Sequence, residues 1–470
     1  MSEKERSKTS LHQGLDHVES AHSGDDTAAN IPTQHKSKRS FWRSPLCAAW
    51  ILGVCNFCAP GLWGAMNSLG AGGTASPWII NAANALTFCL MIITAFLAST
   101  IMDLVGVNFA LFLGGIGFAP YCAGLYCNVV YGTEWFVLLG AAFCGLSAGL
   151  FWAIEAAVAM SYPEQFRMGK FLGIWLSFRV AGQIVGGAIN LGMNADGDYA
   201  GAINPNVYIV FIVLTSLGPF SIALTSKIAF LLPRPHQIRR LDGVEPKLYT
   251  HTPILTNIKE TLRVLLTKEY LLIIPLIAQA VFPESYTNTY MASFFSVRVR
   301  ALGSFVAAWA CIIVGNIVGF FLDRHNVPLK TRARAGFIFM MTTRGAWWIW
   351  STVLMAHWPT PDTIDWTNSK YFGRTFALYV FLGASFQTHY LYLYFLVKHS
   401  VKSSSDSSRA AGLLRAVESA AQAVAYGTSS VASFAHLGSS CLNFALWGVA
   451  IVPAWLVVRR IGIDLNGPER

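Results

Sequence analysis

The chain has 470 residues, a formal charge of +10, 54% hydrophobic and only 12% charged residues. Soluble domains carry roughly 25% charged residues, so a string of soluble domains is excluded. The positive balance is no sign of nucleic-acid binding either, because its distribution follows a membrane pattern described below.

The first 42 residues are rich in Ser, Lys, His and Asp and contain no apolar core, which argues against a cleavable signal peptide and predicts a disordered cytoplasmic tail. Twelve apolar stretches follow, each able to cross about 30 Å of hydrocarbon. They run near Pro45 to Gly64, Trp78 to Ser99, Phe109 to Tyr126, Trp135 to Met160, Phe171 to Leu191 and Val207 to Leu232. After a polar interruption they continue near Tyr270 to Phe294, Phe305 to Leu322, Ala335 to Met355, Phe376 to Val397, Ala410 to His436 and Ser439 to Val458. The expected organisation is a tail over 1–42, a six-helix bundle over 43–232, a linker over 233–269, a second bundle over 270–459 and a short tail over 460–470. In the linker, Ile254, Ile258, Leu262 and Leu265 recur at helical spacing with Lys259 and Arg263 between them, as in a helix lying along the cytoplasmic interface.

Of the 34 Lys and Arg, 27 fall in tails, loops or helix ends on one side if the N-terminus is cytoplasmic. Four (Arg298, Arg300, Lys370, Arg374) fall on the other side, and Arg179, Arg344 and Arg415 lie within helices. That asymmetry is the positive-inside pattern and places both termini in the cytoplasm. Cys55 and Cys58 form the only close cysteine spacing, so neither a disulfide framework nor a zinc site is predicted.

The two halves echo each other. Asn56 precedes Pro60 by four residues, with Trp63 after it; Gln279 precedes Pro283 by four, with Tyr286 after it. Gly149 precedes Glu155 by six, as Gly383 precedes His389. Gly173, Arg179 and Gln183 recur with the same offsets as Gly412, Glu418 and Gln422. These matches, in corresponding helices and in one order, predict a parallel duplication about an axis along the membrane normal. The fold class read from the residues is therefore an all-α integral membrane protein with twelve transmembrane helices in two pseudo-symmetric halves.

An ionisable side chain in hydrocarbon is costly unless paired or wet, so each one is a functional candidate. Counting from Pro163, Lys170, Lys398 and Arg409 puts Glu155, Arg179, His389 and Glu418 in turn roughly 12 to 14 Å below the cytoplasmic face at 1.5 Å per residue. Glu155 is thus expected to meet Arg179, and His389 to meet Glu418, as a polar centre for a solute and a coupling proton. The alternative is that each pair only locks neighbouring helices together. Asn56 and Trp63 on helix 1, with Gln279 and Tyr286 on helix 7, are expected to line the cavity. Pro60 and Pro283 break backbone hydrogen bonds and would let those helices bend as gates.

Gly319, Asp323 and Arg324, followed by Lys330 and Arg332, resemble the Gly-x-x-x-Asp-Arg loop signature of the major facilitator superfamily. The resemblance implies a gating role for Asp323 and Arg324. The run Cys58-Ala-Pro-Gly-Leu-Trp-Gly-Ala-Met-Asn67, with Leu69 to Gly73, Phe112 to Phe118, Ala148 to Trp152, Ser161 to Glu164 and Arg300 to Gly303, resembles the fungal uncoordinated-93-like (Unc-93-like) family of that superfamily. That family tends to have Gln near Glu155 and Asn near Arg179, so the charged residues here are a departure from its pattern.

The functional expectation is secondary transport of a small organic solute by alternating access, with efflux of a metabolite as the leading direction, and without cofactor or enzymatic activity. No Walker-type loop is present in the sequence. The partners expected are the lipid bilayer, a solute and a proton, with no nucleic acid; the location is a multi-pass protein of the plasma membrane by default. The alternative is a non-transporting accessory protein that regulates or traffics a partner membrane protein, as the resemblance to animal members implies.

Overall fold

The computed structural model describes residues 41–465 except 75, 165–166, 218–231, 247, 249–252, 325, 358–362, 368 and 402–403. Nearly all of the expected N-terminal tail, the last five residues and most of the second part of the expected sixth span lie outside the described residues.

In chain order the helices are α1 (Pro45–Asn56), α2 (Leu62–Ser68), α3 (Pro77–Val105), α4 (Val107–Gly115), α5 (Phe118–Tyr131), α6 (Trp135–Ser161), α7 (Met168–Asn194) and α8 (Asn206–Leu217). There follow α9 (Ile254–Leu265), α10 (Lys268–Val281), α11 (Pro283–Phe294), α12 (Val297–Leu322), α13 (Leu329–Ala356), α14 (Ser369–Ser400), α15 (Ser404–Ser429) and α16 (Leu437–Val458). Among the described residues the only β pairing is two isolated bridges.

Local sequence explains the breaks. Ser44 caps α1 by accepting from the Cys47 amide at 3.1 Å, with Pro45 at the first helical position where its missing N–H costs nothing. Pro60 cannot donate to the turn before it, and the chain passes from α1 to α2 through a π-helical turn, Phe57–Gly61. Gly106, at φ +82°, ends α3 and turns the chain into α4, a conformation that side-chain-bearing residues avoid. Pro283 opens α11 directly after α10 stops at Val281.

Seven helical stretches among the described residues are long and apolar enough to cross a membrane: Pro45–Ser68, Pro77–Val105, Val107–Tyr131, Trp135–Ser161, Lys170–Asn194, Val297–Leu322 and Leu437–Val458. The pair α9 and α10–α11 would add an eighth, bent by 76° at its junction. The long helices α13, α14 and α15 fall short because they carry buried polar residues, including Arg344, His389, Arg415, Glu418 and Gln422. Their polar residues point inward, while α13 still presents Ile338, Phe339, Ile349 and Val353 outward. The expected eleventh span also stops earlier than Ala410 to His436: α15 ends at Ser429, and turns cover the rest.

The packing inverts the soluble pattern. On α12, Trp309, Ile313, Ile317 and Phe320 form an exposed stripe, while Gly303, Ser304, Ala307, Ala308 and Gly315 are buried. Lipid accepts the large side chains, and small ones let backbones approach. The same logic joins α7 to the π turn: a Cβ on Gly182 would lie 2.8 Å from the Phe57 carbonyl and 3.0 Å from the Gly61 Cα.

Helix α7 packs chiefly on α12 and on α1 and α2, α6 on α3, α5, α15 and α4, and α15 on α3 and α6. At the end remote from the central linker, Arg300 of α12 is almost wholly buried. Its guanidinium donates to the carbonyls of Leu69 at 2.6 Å, Gly70 at 2.7 Å, Gly201 at 2.9 Å and Thr74 at 3.3 Å. One side chain thereby ties a C-terminal helix to loops of the N-terminal part.

Candidate functional site

The centre of the molecule is built where α1, α6, α7, α11, α14 and α15 converge. Glu155, on α6, is 1% exposed, and its Oε2 accepts from Asn56 Nδ2 at 3.1 Å. Asn56 is the last residue of α1, so the π turn sets the amide against the carboxylate. Trp63, seven residues further, stands edge-on to Trp152 with ring centres 5.9 Å apart.

Two guanidiniums share the aromatic wall of this centre. Arg179 lies 5.1 Å from the ring centre of Tyr390 and 5.9 Å from that of Trp152. Arg415, from α15, lies 4.8 Å from Tyr390 and 5.3 Å from Trp152. Desolvated cations on aromatic faces gain about 2 kcal/mol each, which partly replaces lost hydration. Arg415 also donates through Nη1 to Glu418 Oε2 at 2.6 Å and through Nη2 to the Tyr394 hydroxyl.

A third carboxyl completes the cluster. Glu284, next to Pro283 on α11, accepts from Gln422 Nε2 of α15. Arg179 is within electrostatic reach of Glu155, Glu284 and Glu418, and Arg415 of Glu155 and Glu418. Three carboxyl groups therefore face two guanidiniums.

The expected pairs are not the ones formed. Glu155 bonds Asn56, Arg179 stacks on Tyr390, and Glu418 bonds Arg415 three residues earlier on its own helix. His389 does not meet Glu418: its Nδ1 is 3.0 Å from the Ser385 carbonyl, its Nε2 has no protein partner, and the charge nearest in effect is Arg344. The reason is azimuth. Depth along a helix can be counted from sequence, but α6 and α7, although consecutive, scarcely touch, since α7 packs on α12.

Gln279 is 1% exposed, and both polar atoms of its side chain are without a protein partner. Its carbonyl and that of Ala280 accept from Arg344, at 3.4 and 3.2 Å. Tyr286 turns instead to Ser351, oxygen to oxygen at 2.7 Å, and packs on Trp348. Pro60 and Pro283 both sit at helix breaks. Asp323 caps the end of α12, where Arg332 donates to the Leu322 carbonyl at 2.6 Å, and Arg324 is exposed.

The sequence reading missed Glu284, Arg415 and the aromatic pair Trp152 and Tyr390 as members of the centre. Arg415 and Glu418 stand at i, i+3, a spacing that brings side chains together on a helix and would have revealed the ion pair. Tyr390, neighbour of His389, carried no signal, because cation stacking is visible only in three dimensions.

The pattern for an ion channel regulatory protein, UNC-93, matches residues 81–382. This chain belongs to the UNC-93 family. The chain is also 36% identical over 442 residues, 93% of both chains, to "Notoamide biosynthesis cluster protein O'" of Aspergillus versicolor. A UNC93-like protein of Schizosaccharomyces pombe is 25% identical over 88% of this chain and 82% of its own. UNC93-like protein 1 of Arabidopsis thaliana is 28% identical over 84% and 86%. Among solved structures, a D-xylose-proton symporter superposes with TM-score 0.57 at 12% identity, covering 88% of this chain and 96% of that one. At that identity the likeness is one of fold alone: this UNC-93 family member shares the helical fold of that symporter, and its apolar helices make it a multi-pass membrane protein.

Proposed function

We propose that this UNC-93 family member is a secondary transporter that moves a small organic solute between two six-helix halves by alternating access, with twelve spans and both termini in the cytoplasm. The observation that carries the reading is the cluster of buried Glu155, Arg415 and Glu418 with half-buried Glu284 and Arg179, contributed by helices from both parts of the chain. Buried charge on this scale is expensive, and its retention in a membrane interior points to a ligand or ion path. Charge counting fits this reading: were all three carboxyls ionised, two guanidiniums would leave one negative charge for a coupling proton or a cationic group on the solute to offset.

The polar atoms of Gln279, His389 Nε2 and Glu418 Oε1, buried without protein partners, are the groups a solute would satisfy. Asn56, Trp63 and Tyr286 would line its site, Pro60 and Pro283 would be the bending points, and Asp323 and Arg324 would latch the cytoplasmic gate. The relative named for a notoamide biosynthesis cluster supports a biosynthetic product as cargo, and efflux across the plasma membrane is the direction proposed with it.

Solute flux in reconstituted vesicles, across a panel of organic metabolites, tests this. Transport by the native chain, with Glu155→Gln and Arg179→Asn lowering the rate at least tenfold, is the expected result. The family description favours a second reading, an accessory protein that regulates a channel or receptor. Flux at background in all three proteins, with a membrane protein recovered stoichiometrically on purification, would favour that reading.

A further inference from the structure

Where the basic linker meets the helix bundle, a cleft of about 820 Å³ opens between the ends of α10, α13 and α16. It is lined by Lys268, Arg334, Arg459 and Arg460, by Glu269 and Asp464, and by Ile463. Arg460 is committed, to Glu269 at 2.9 Å and to Asp464 at 3.5 Å. The ammonium of Lys268 and the guanidinium of Arg459 are exposed, and neither makes an ion pair among the described residues. Arg334 spends Nη2 on the Arg459 carbonyl at 2.8 Å, while its Nε is buried without a partner. The cleft keeps a net positive charge after its internal pairs are counted.

Its height relative to the bilayer follows from the helices around it. α9 meets α10 at 76°, so it lies across the bundle ends, and it exposes Ile254, Leu255 and Leu262. Leu266, two residues before Lys268, is 67% exposed. Each wall of the cleft repeats one pattern: Lys268 with exposed Leu271 on α10, Arg334 with exposed Ile338 on α13, Arg459 with exposed Val452 on α16. A cation at the surface and an apolar side chain one or two turns, about 5 to 11 Å, deeper is the profile of a phospholipid, phosphate above acyl chain. Basic pockets between transmembrane helices on the cytoplasmic side suit anionic headgroups for this reason.

We propose that this cleft is a binding site for an anionic phospholipid of the cytoplasmic leaflet, its phosphate held by Lys268, Arg334 and Arg459 and its chains lying along Leu271, Ile338 and Val452. The site stands apart from the central cluster and does not depend on what, if anything, the protein transports. The test is binding to the purified full-length chain in detergent of three probes: dioctanoyl phosphatidylinositol 4-phosphate, dioctanoyl phosphatidylcholine and inorganic phosphate. Saturable binding of the first, with no binding of the second at the same concentration, is expected. Lys268→Gln with Arg459→Gln should weaken it at least tenfold, while Lys268→Arg with Arg459→Lys should leave it within about twofold, both variants eluting as the native chain does. Equal binding of phosphatidylcholine, displacement by an equal concentration of inorganic phosphate, unchanged affinity in the glutamine variant, or equal loss in the charge-conserving variant would each overturn the proposal. Should the glutamine variant fail to elute as the native chain does, the charge-conserving variant and the phosphatidylcholine comparison decide alone.

Discussion

Arg415 and Glu418 form an ion pair of 2.6 Å in which both side chains are almost fully buried, 4% and 1% exposed, on the same face of one helix. Removing either partner strands a charge in a low-dielectric interior, at a cost of about 3 to 5 kcal/mol. Arg415→Gln and Glu418→Gln are each expected to lower the thermal unfolding midpoint in detergent markedly. The double variant should lose less than the sum of the two, which a double-mutant cycle on the midpoints measures.

Arg179 and Arg415 make different demands of the same tyrosine. Replacing Tyr390 by Leu removes a ring 4.8 to 5.1 Å from both guanidiniums while keeping bulk. The expected loss is roughly 2 kcal/mol or more of stability. Tyr390→Phe retains the π face and should stay near the native midpoint, so equal losses in the two variants would dismiss the stacking account.

Arg300 satisfies four backbone carbonyls at once with a planar fork that lysine cannot imitate. Arg300→Lys keeps the charge and loses most of these bonds, each worth about 1.5 to 3 kcal/mol. The expected outcome is a fall of several degrees in the unfolding midpoint and faster proteolysis of the 69–74 loop, scored by fragment mapping. A native cleavage rate would mean the clamp contributes nothing.

Asp365, in the loop before α14, bonds Arg298 and the hydroxyls of Ser296 and Thr367. The Arg298 hydrogen bond holds its carboxyl well below the ordinary aspartate range, against the opposing effect of burial. A depressed folded-state pKa stabilises above the unfolded value, here 3.8, and that stability is lost as pH falls through the folded value. The midpoint difference between native protein and Asp365→Asn should therefore be constant from about pH 8 to pH 5 and shrink only below about pH 4. A difference that already halves by pH 6 would contradict this assignment.

Gly182 lets α7 touch the π turn, and a Cβ there would meet the Phe57 carbonyl at 2.8 Å and the Gly61 Cα at 3.0 Å, both backbone atoms that cannot swing away. Gly182→Ala is expected to cost about 1 to 3 kcal/mol through forced separation of the helices. Fluorescence-detected gel filtration with a heating step would register it, and an unchanged profile would show that the contact can relax.

The membrane character and the breaks at Pro60 and Pro283 were legible in the chain, because they depend on local quantities: hydropathy over about 20 residues, and a missing N–H. Height along a helix could be counted too, since rise per residue is constant, and on that ground Glu155, Arg179 and Glu418 were singled out. Partners were another matter. Glu155 found Asn56, 99 residues away, rather than Arg179, and Glu284 found Gln422, 138 residues away. Which side chains meet depends on helix rotation and on which helices are neighbours, set by small-residue contacts such as Gly61 with Gly182 and by the burial of α15 among α3 and α6. A linear pattern records height along each helix; only the packed bundle assigns the direction in which each side chain points.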